Sequence, residues 1–217
     1  MTNPRWRAWS EGRALLLPLL VVGAVSLWFL PILALAAFAF AGVIVFAFRD
    51  PERAVTPRAD VALSPCDGRV IAIRQVFDEH WQTDLTEIAV FLALSDVHVQ
   101  RSPLAGVIEA QQRRAGGYRP AMTEAATHGN NQFSTYLRTD AGPCAVTQIS
   151  GLVARRIVTW VGPGDRLAQG QRLGMIKFGS QVTLRLPLDV AVLVNVGDHV
   201  VGGITPVARL HGTSSAR

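Results

Sequence analysis

The stretch Val161-Gly-Pro-Gly164-Asp165-Arg-Leu-Ala-Gln-Gly170 recurs as Val194-Asn-Val-Gly197-Asp198-His-Val-Val-Gly-Gly203. Both copies read V-x-x-G-D-x-[LV]-x-x-G, a Gly-Asp corner followed by a hydrophobic residue and a second glycine. Glycine adopts backbone angles that other residues avoid, and aspartate bonds readily to nearby backbone amides, so the pattern favours a tight turn between strands. The repeat therefore predicts two similar turns in a β-rich structure.

The sequence around these turns, from about Asp60 onward, consists of short apolar runs interrupted by glycine and proline. Seven of these runs are predicted strands: Val70–Ile73, Glu87–Leu94, Ser134–Leu137, Ala145–Ile149, Arg156–Val161, Gln181–Leu186 and Val190–Val194. No long segment has a 3.6-residue period, so we predict a mainly β domain, α+β overall. The repeated turns resemble the hammerhead turns of barrel-sandwich hybrid folds, although two ordinary β-turns would give the same pattern.

The N-terminal quarter of the chain is membrane-like, because the 35 residues from Ala14 to Phe48 carry no charge. A helix of that length would reach about 50 Å, against a hydrocarbon core of about 30 Å. Pro31 lies near the midpoint, which predicts a helical hairpin, with a single tilted helix as the alternative. Arginines flank both sides of the stretch, Arg5, Arg7 and Arg13 before it and Arg49, Arg53 and Arg58 after it. The positive-inside rule then places both ends in the cytoplasm.

We therefore predict a membrane anchor over residues 1–58 and a β-rich domain over residues 59–217. The net charge of +5 rests on arginine, since Lys177 is the only lysine. Several of these arginines flank the apolar stretch, which favours an anionic membrane over nucleic acid as the partner. Cys66 and Cys144 form neither a disulfide framework nor a zinc motif. The histidines lack metal-ligand spacing, so no metal site is predicted.

The pair Gly179-Ser180 lies between two apolar runs. A flexible glycine lets the following hydroxyl approach the preceding carbonyl, as an N-to-O acyl shift requires. Elimination across the Ser180 Cα–Cβ bond and hydrolysis would then leave a pyruvoyl group. By itself, a Gly-Ser pair is more often a plain turn.

Several ordered blocks of the sequence decide between these two interpretations. Phe178-Gly179-Ser180, within GQRLGMIKFGSQVTLRLP, resembles the self-cleavage site of short bacterial and archaeal phosphatidylserine decarboxylases. Four further blocks are similar to this family in the same order: FRDPERAV (48–55), LSPCDGRV (63–70), SDVHVQRSPLAG (95–106) and QISGLVARRIV (148–158). An apolar hairpin precedes them in the family too.

The resemblance implies a role for each matching residue. Ser180 matches the processed serine, and Asp67 matches the aspartate that orients a histidine in a Ser-His-Asp arrangement. His98 matches a family histidine, and we expect strand alternation to put it on one face with Asp96 and Gln100. Long members carry a second histidine where this chain has Arg101, so either His98 serves both cleavage and decarboxylation or Arg101 takes the second role.

Two departures from the family pattern concern neighbouring positions. Cys66 stands where alanine is usual, and Asn130-Asn131-Gln132 stands where many short members have Asn-Glu-Arg. The second exchange removes two charges and puts their pairing in doubt. Arg101, Arg155 and Arg156 are candidates for binding the lipid phosphate.

The resemblance implies a pyruvoyl enzyme that converts phosphatidylserine to phosphatidylethanolamine and carbon dioxide through a Schiff base. It implies cleavage into residues 1–179 and 180–217, which stay together as a heterodimer. The flanking arginines put this heterodimer at the cytoplasmic face of the inner membrane. Two alternatives stay open, a membrane-tethered hybrid-fold adaptor without chemistry and a pyruvoyl decarboxylase of another substrate. The adaptor predicts an uncut chain.

Overall fold

The computed structural model describes residues 5–152, 156–177 and 180–210. The chain divides into two compact units, Met1–Pro51 and Glu52–Arg217. Arg53 and Arg58, which the sequence pattern grouped with the anchor, belong to the second unit.

The first unit contains helices α1 (Arg5–Ser26) and α2 (Pro31–Ala47). The two run antiparallel, because Gly12 faces the ring of Phe48 and Gly23 faces the ring of Phe38. Pro31 occupies the first turn of α2, where its missing amide costs nothing. In α1, the 20 residues from Arg7 to Ser26 have a mean hydropathy of 1.4, enough to cross a membrane. With 17 residues, α2 is shorter than the usual span of about 20, so a hairpin that crosses twice stays a prediction.

The second unit is mainly β, as predicted. Its strands are β1 (Val61–Leu63), β2 (Gly68–Asp78), β3 (Thr83–Leu92), β4 (Val99–Arg101), β5 (Gly106–Arg114), β6 (Gln132–Thr139), β7 (Gly142–Ile149), β8 (Ile157–Thr159), β9 (Arg166–Leu167), β10 (Arg172–Ile176), β11 (Ser180–Pro187), β12 (Ala191–Val192), β13 (His199–Val200) and β14 (Pro206–Arg209). A short helix, α3 (Glu124–Gly129), precedes β6. Each of the seven predicted strands overlaps an observed one.

Eight of these strands form one antiparallel sheet in the order β13-β2-β3-β11-β7-β6-β5-β9. The remaining strands form two three-stranded sheets, β1-β14-β12 and β4-β10-β8. Along β11, Val182, Leu184 and Leu186 belong to the hydrophobic core. The alternate residues face a polar side, where Arg185 bonds to the buried carboxylates of Glu87 and Asp78 at 2.8 Å each. Strand alternation thus puts Ser180 on the core face of a central strand.

The repeated turns of the sequence are repeated in the structure. Gly164 and Gly170 have φ of +88° and +77°, and their counterparts Gly197 and Gly203 have +101° and +74°. In each copy the aspartate carboxylate accepts the backbone amide three residues earlier at 2.8 Å. The turns lead into β9 and β13, the two outermost strands of the large sheet.

A second repeat, which the sequence analysis missed, accompanies the first. The carbonyls of Ser64 and Ser102 accept the amides of Gly203 and Gly170, both at 2.8 Å. Each serine hydroxyl also donates to the carbonyl two residues later. The segments SPCDG (64–68) and SPLAG (102–106) therefore form equivalent turns, and the position of Asp67 in the first is Ala105 in the second. This turn does not require a carboxylate, so Asp67 has another role.

Candidate active site

Ser180 begins β11 and pairs with Leu92 at the end of β3. Its side chain is fully buried, and its hydroxyl has no hydrogen-bond partner among the described residues. A buried hydroxyl without a partner costs free energy, so a fold retains one only for a reason. Gly179, the other half of the predicted cleavage site, lies outside the described residues, as does Phe178.

His98 lies beside the segment that leads to Ser180. Its carbonyl accepts the Ile176 amide at 3.2 Å, and three residues separate Ile176 from Ser180 along the chain. The imidazole is 1% exposed, and its Nδ1 lies 2.8 Å from the Asp96 carbonyl. A carbonyl only accepts, so Nδ1 carries the proton and Nε2 of the neutral ring is the acceptor. The ring is therefore held in the tautomer that a general base needs.

The prediction that Asp96, His98 and Gln100 share one strand face is wrong, because β4 begins only at Val99. Asp96 instead closes the turn after β3, where its carboxylate accepts the Ala93 amide at 2.8 Å. Side-chain bonds to the local backbone favour a turn over an extended strand here.

Asp67 precedes β2 and forms a buried cluster with Arg53 and Gly202. Its Oδ2 accepts the Arg53 guanidinium at 2.7 Å, and its Oδ1 accepts the Gly202 amide at 2.8 Å. Arg53 also donates to the Gly202 carbonyl, which closes the cluster. The side chains of Arg53 and Asp67 are only 8% and 11% exposed. Within the described residues, Asp67 therefore bonds to Arg53 and Gly202 and not to His98, which the Asp96 carbonyl orients.

Asp67 and Ser180 nevertheless lie at the same end of the large sheet. Arg69 pairs with Phe91 on β3, while Ser180 pairs with the adjacent Leu92 from the other side. Two strand spacings, about 10 Å, therefore separate the backbones of β2 and β11 at this end of the sheet. Gly68 permits this close packing, because a Cβ there would collide with the Phe91 carbonyl.

Arg101 lies next to the turn that carries Asp67. Its amide donates to the Pro65 carbonyl at 2.8 Å, and its guanidinium donates to the Gly170 carbonyl at 3.2 Å. It is 4% exposed, whereas Arg156, another phosphate candidate, is exposed beside Lys177. Arg155 lies outside the described residues. The position of the family's second histidine thus adjoins Asp67, while His98 lies nearer the approach to Ser180.

The departures from the family pattern are accommodated without charge. At the position of the family's glutamate, the Asn131 backbone amide donates to the Gly117 carbonyl and the Asn131 carbonyl accepts the Ser150 amide, both at 3.0 Å. Gln132 donates to the Thr127 carbonyl.

The Cys66 thiol is fully buried, and this burial raises its pKa well above the usual range. The nearby carboxylates of Asp67 and Asp96 raise the pKa further, while Arg53 lowers it. Cys66 is therefore an inert packing residue.

A chain of amides supports the backbone of His98. Gln148 on β7 donates to Gln100 at 2.8 Å, and Gln100 donates to the His98 carbonyl at 2.9 Å. Among the described residues, no group of three or more histidine, cysteine or acidic side chains converges to hold a metal ion. What the site offers is a buried hydroxyl, a tautomer-fixed imidazole and a buried carboxylate–guanidinium pair.

Comparison with known proteins agrees with this set of groups. The family model described as "Phosphatidylserine decarboxylase" matches residues 40–208. The chain belongs to the phosphatidylserine decarboxylase family. A phosphatidylserine decarboxylase proenzyme of Carboxydothermus hydrogenoformans is 38% identical over 196 residues, 89% of this chain and 91% of the relative. That of Nitratidesulfovibrio vulgaris is 44% identical over 75% of each chain.

A relative from Methanosarcina mazei, 38% identical over 84% of this chain and 82% of its own, is named a putative archaetidylserine decarboxylase proenzyme. Membership of the phosphatidylserine decarboxylase family makes the chain a decarboxylase of phospholipid biosynthesis whose relatives are named as proenzymes. The recognition drawn from the sequence blocks is confirmed.

Arg53 and Gly202 belong to the site although no sequence motif marked them as functional. Arg53 was counted among the charges that flank the membrane segment, and its position in the FRDPERAV block was the available signal. Gly202 lies inside the second copy of the repeated turn, next to Gly203. Their role emerges only from the long-range packing of residues 53, 67 and 202.

Proposed function

We propose that the chain cleaves itself between Gly179 and Ser180 and that Ser180 becomes the pyruvoyl group of a phosphatidylserine decarboxylase. The observation that carries the proposal is the Ser180 hydroxyl, fully buried and without a hydrogen-bond partner among the described residues, at the start of a central strand. Ser150 shares this burial without a partner, so the feature that singles out Ser180 is its position directly after Gly179 and close after Ile176, whose amide bonds to the His98 carbonyl.

Maturation begins when His98 Nε2 accepts the Ser180 proton and Ser180 Oγ attacks the Gly179 carbonyl carbon. The peptide bond becomes an ester, and the amine of Ser180 is released. Loss of the Ser180 Cα proton then breaks the Cβ–O bond, which frees the carboxylate of residues 1–179 and leaves dehydroalanine at position 180. Water replaces its amine, ammonia departs, and residues 180–217 begin with a pyruvoyl group.

Arg101 is a poor candidate for the base, because arginine keeps its proton at any physiological pH. The fixed tautomer of His98 supports giving the proton to this residue. Asp67 acts at a distance from His98 in this proposal: with Arg53 it fixes Gly202 and the turn that adjoins Arg101. Asp67 is thus a positioning residue for the wall of the site.

A pyruvoyl group would supply the electron sink for decarboxylation, since its ketone condenses with the serine amine of the lipid and takes the electrons as carbon dioxide leaves. The chain's own part is to exclude water and return a proton to the substrate Cα. His98, buried beside the approach to Ser180, is placed for that proton. Exposed Arg156 is a candidate for the lipid phosphate. We place the enzyme in the inner membrane, with its β unit on the cytoplasmic face and its two chains associated.

The test is release of carbon dioxide from phosphatidylserine in vesicles that contain the purified full-length protein. Ser180→Ala should abolish both activity and cleavage. Ser150→Ala is the matched control, because Ser150 is also fully buried with an unpartnered hydroxyl among the described residues. It should retain both. Free serine should give no carbon dioxide; activity on free serine alone would favour a soluble-substrate enzyme. An intact, inactive wild-type chain would favour the adaptor.

A further inference from the structure

The end of the large sheet that carries Ser180 is also rich in exposed apolar side chains. Leu94 follows β3, whose Leu92 pairs with Ser180, and Leu152 follows β7, whose Ile149 pairs with Gln181. They are 59% and 60% exposed. Met122, 62% exposed, lines a cavity of about 380 Å³ together with Gln181. These three residues, Leu94, Met122 and Leu152, are called the apolar rim below.

The exposed charges of the β unit differ in balance between the two ends of the sheet. The Ser180 end carries the exposed arginines Arg113, Arg114, Arg119 and Arg156. The opposite end is mainly acidic: beside Arg138 and Arg166 it carries the exposed acids Glu79, Asp84, Asp140 and Asp189. The unit is therefore electrically polar along its strands, with the positive pole around Ser180.

We propose that the Ser180 end docks directly on an anionic phospholipid surface, with the apolar rim inserted between the head groups. Apolar side chains among arginines suit an anionic bilayer, because leucine and methionine gain from the acyl region while arginine pairs with phosphate. The acidic opposite end would be repelled by the same surface. This contact is additional to the N-terminal helices, and it would present the site to a lipid without removing the lipid from the bilayer.

The inference deepens the proposed function, but its direct test does not depend on activity. Both native cysteines are fully buried, so a single cysteine introduced at the surface can be labelled selectively. The full-length protein carrying Leu94→Cys or Leu152→Cys would receive an environment-sensitive fluorophore and be reconstituted in vesicles with anionic, acyl-brominated lipids. Phe77→Cys and Leu188→Cys are matched controls at the opposite end of the sheet. The native side chains there are 56% and 43% exposed.

We expect bromine quenching at positions 94 and 152 to be at least about threefold stronger than at 77 and 188, since heavy-atom quenching needs contact with the acyl region. Quenching should weaken between low and high salt, because the arginine contribution is screened. Arg119→Glu with Arg156→Glu should weaken it too, and Arg138→Glu at the acidic end should not. Equal quenching at both ends would overturn the proposal. So would crosslinking of Leu94→Cys between copies without quenching, which would make a second copy the occupant.

An activity measurement adds the functional consequence. Leu94→Ser with Leu152→Ser should lower the rate on bilayer phosphatidylserine about tenfold, from the loss of two apolar anchors. The rate on a monomeric short-chain phosphatidylserine should change less than about twofold, because no bilayer is involved. Equal losses on both substrates would contradict docking. If the protein lacked decarboxylase activity altogether, the proposed function would fail while the quenching pattern still decided the surface.

Discussion

Replacing Arg53 by methionine would leave the Asp67 carboxylate buried with the Gly202 amide as its remaining partner. The pair is 2.7 Å apart, and its side chains are 8% and 11% exposed. Breaking a buried pair of this kind costs about 3–5 kcal/mol, mainly through the charge that stays behind. For a domain of this size, about 3 kcal/mol corresponds to a fall in Tm of about 6–12 °C, measured by thermal unfolding in detergent.

Arg58→Met is the matched control for this substitution. Arg58 pairs with Asp60 at 2.8 Å, but these side chains are 46% and 58% exposed, so its loss should leave the Tm nearly unchanged. Adding Asp67→Asn to Arg53→Met removes the stranded charge and should recover stability. Self-cleavage, followed on denaturing gels, should stay slow in the double variant, and Arg53→Lys should partly restore it. If Arg53→Met unfolded and cleaved like Arg58→Met, the positioning role of this cluster would be refuted.

Further predictions concern the base, the buried thiols and the topology. His98→Ala should accumulate as uncut precursor, and any cut fraction should release no carbon dioxide. His80→Ala, an exposed control between β2 and β3, should behave as wild type on gels and in the gas assay. Normal processing of His98→Ala would rule out this base. Burial raises the pKa of Cys144 from 9.0 to about 12, so above pH 9 the unfolded chain loses a proton that the folded chain keeps. The free energy of unfolding should fall as the pH rises from about 9 towards 12, by about 1 kcal/mol at pH 10. Chemical denaturation of Cys144→Ala should lack this part of the fall. A reporter fused after residue 217 should signal from the cytoplasm, and a periplasmic signal would contradict the assigned topology.

The sequence predicted those features that depend on local chemistry. The Gly-Asp corners at 164–165 and 197–198 need positive φ at a glycine and a carboxylate that binds its own backbone, and both requirements are visible in the letters. The seven strand predictions rest on the same local preferences. The family blocks around Asp67, His98 and Ser180 then identified the candidate chemistry and the family.

Long-range packing decided what the sequence did not predict. Arg53 looks like any arginine beside a membrane segment, and only the fold brings it to Asp67 and Gly202. The spacing of Asp96, His98 and Gln100 predicts that they share one face of a strand. In the structure the Asp96 carboxylate closes a turn, and the Asp96 carbonyl accepts a hydrogen bond from the His98 ring. The equivalence of the turns at 64–68 and 102–106 is hard to see in the sequence, because Asp67 and Ala105 differ. Since the second turn forms without a carboxylate, Asp67 is not needed for the turn itself.

The most direct test of the account is the intact mass of the purified mature protein under denaturing conditions. The account predicts two chains, residues 1–179 with a free C-terminal carboxylate and residues 180–217 beginning with a pyruvoyl group in place of Ser180. Treatment with borohydride should add two hydrogens to the smaller chain alone, and Ser180→Ala should give one uncut chain. A catalytically active preparation that contains only the intact chain of 217 residues would contradict the account.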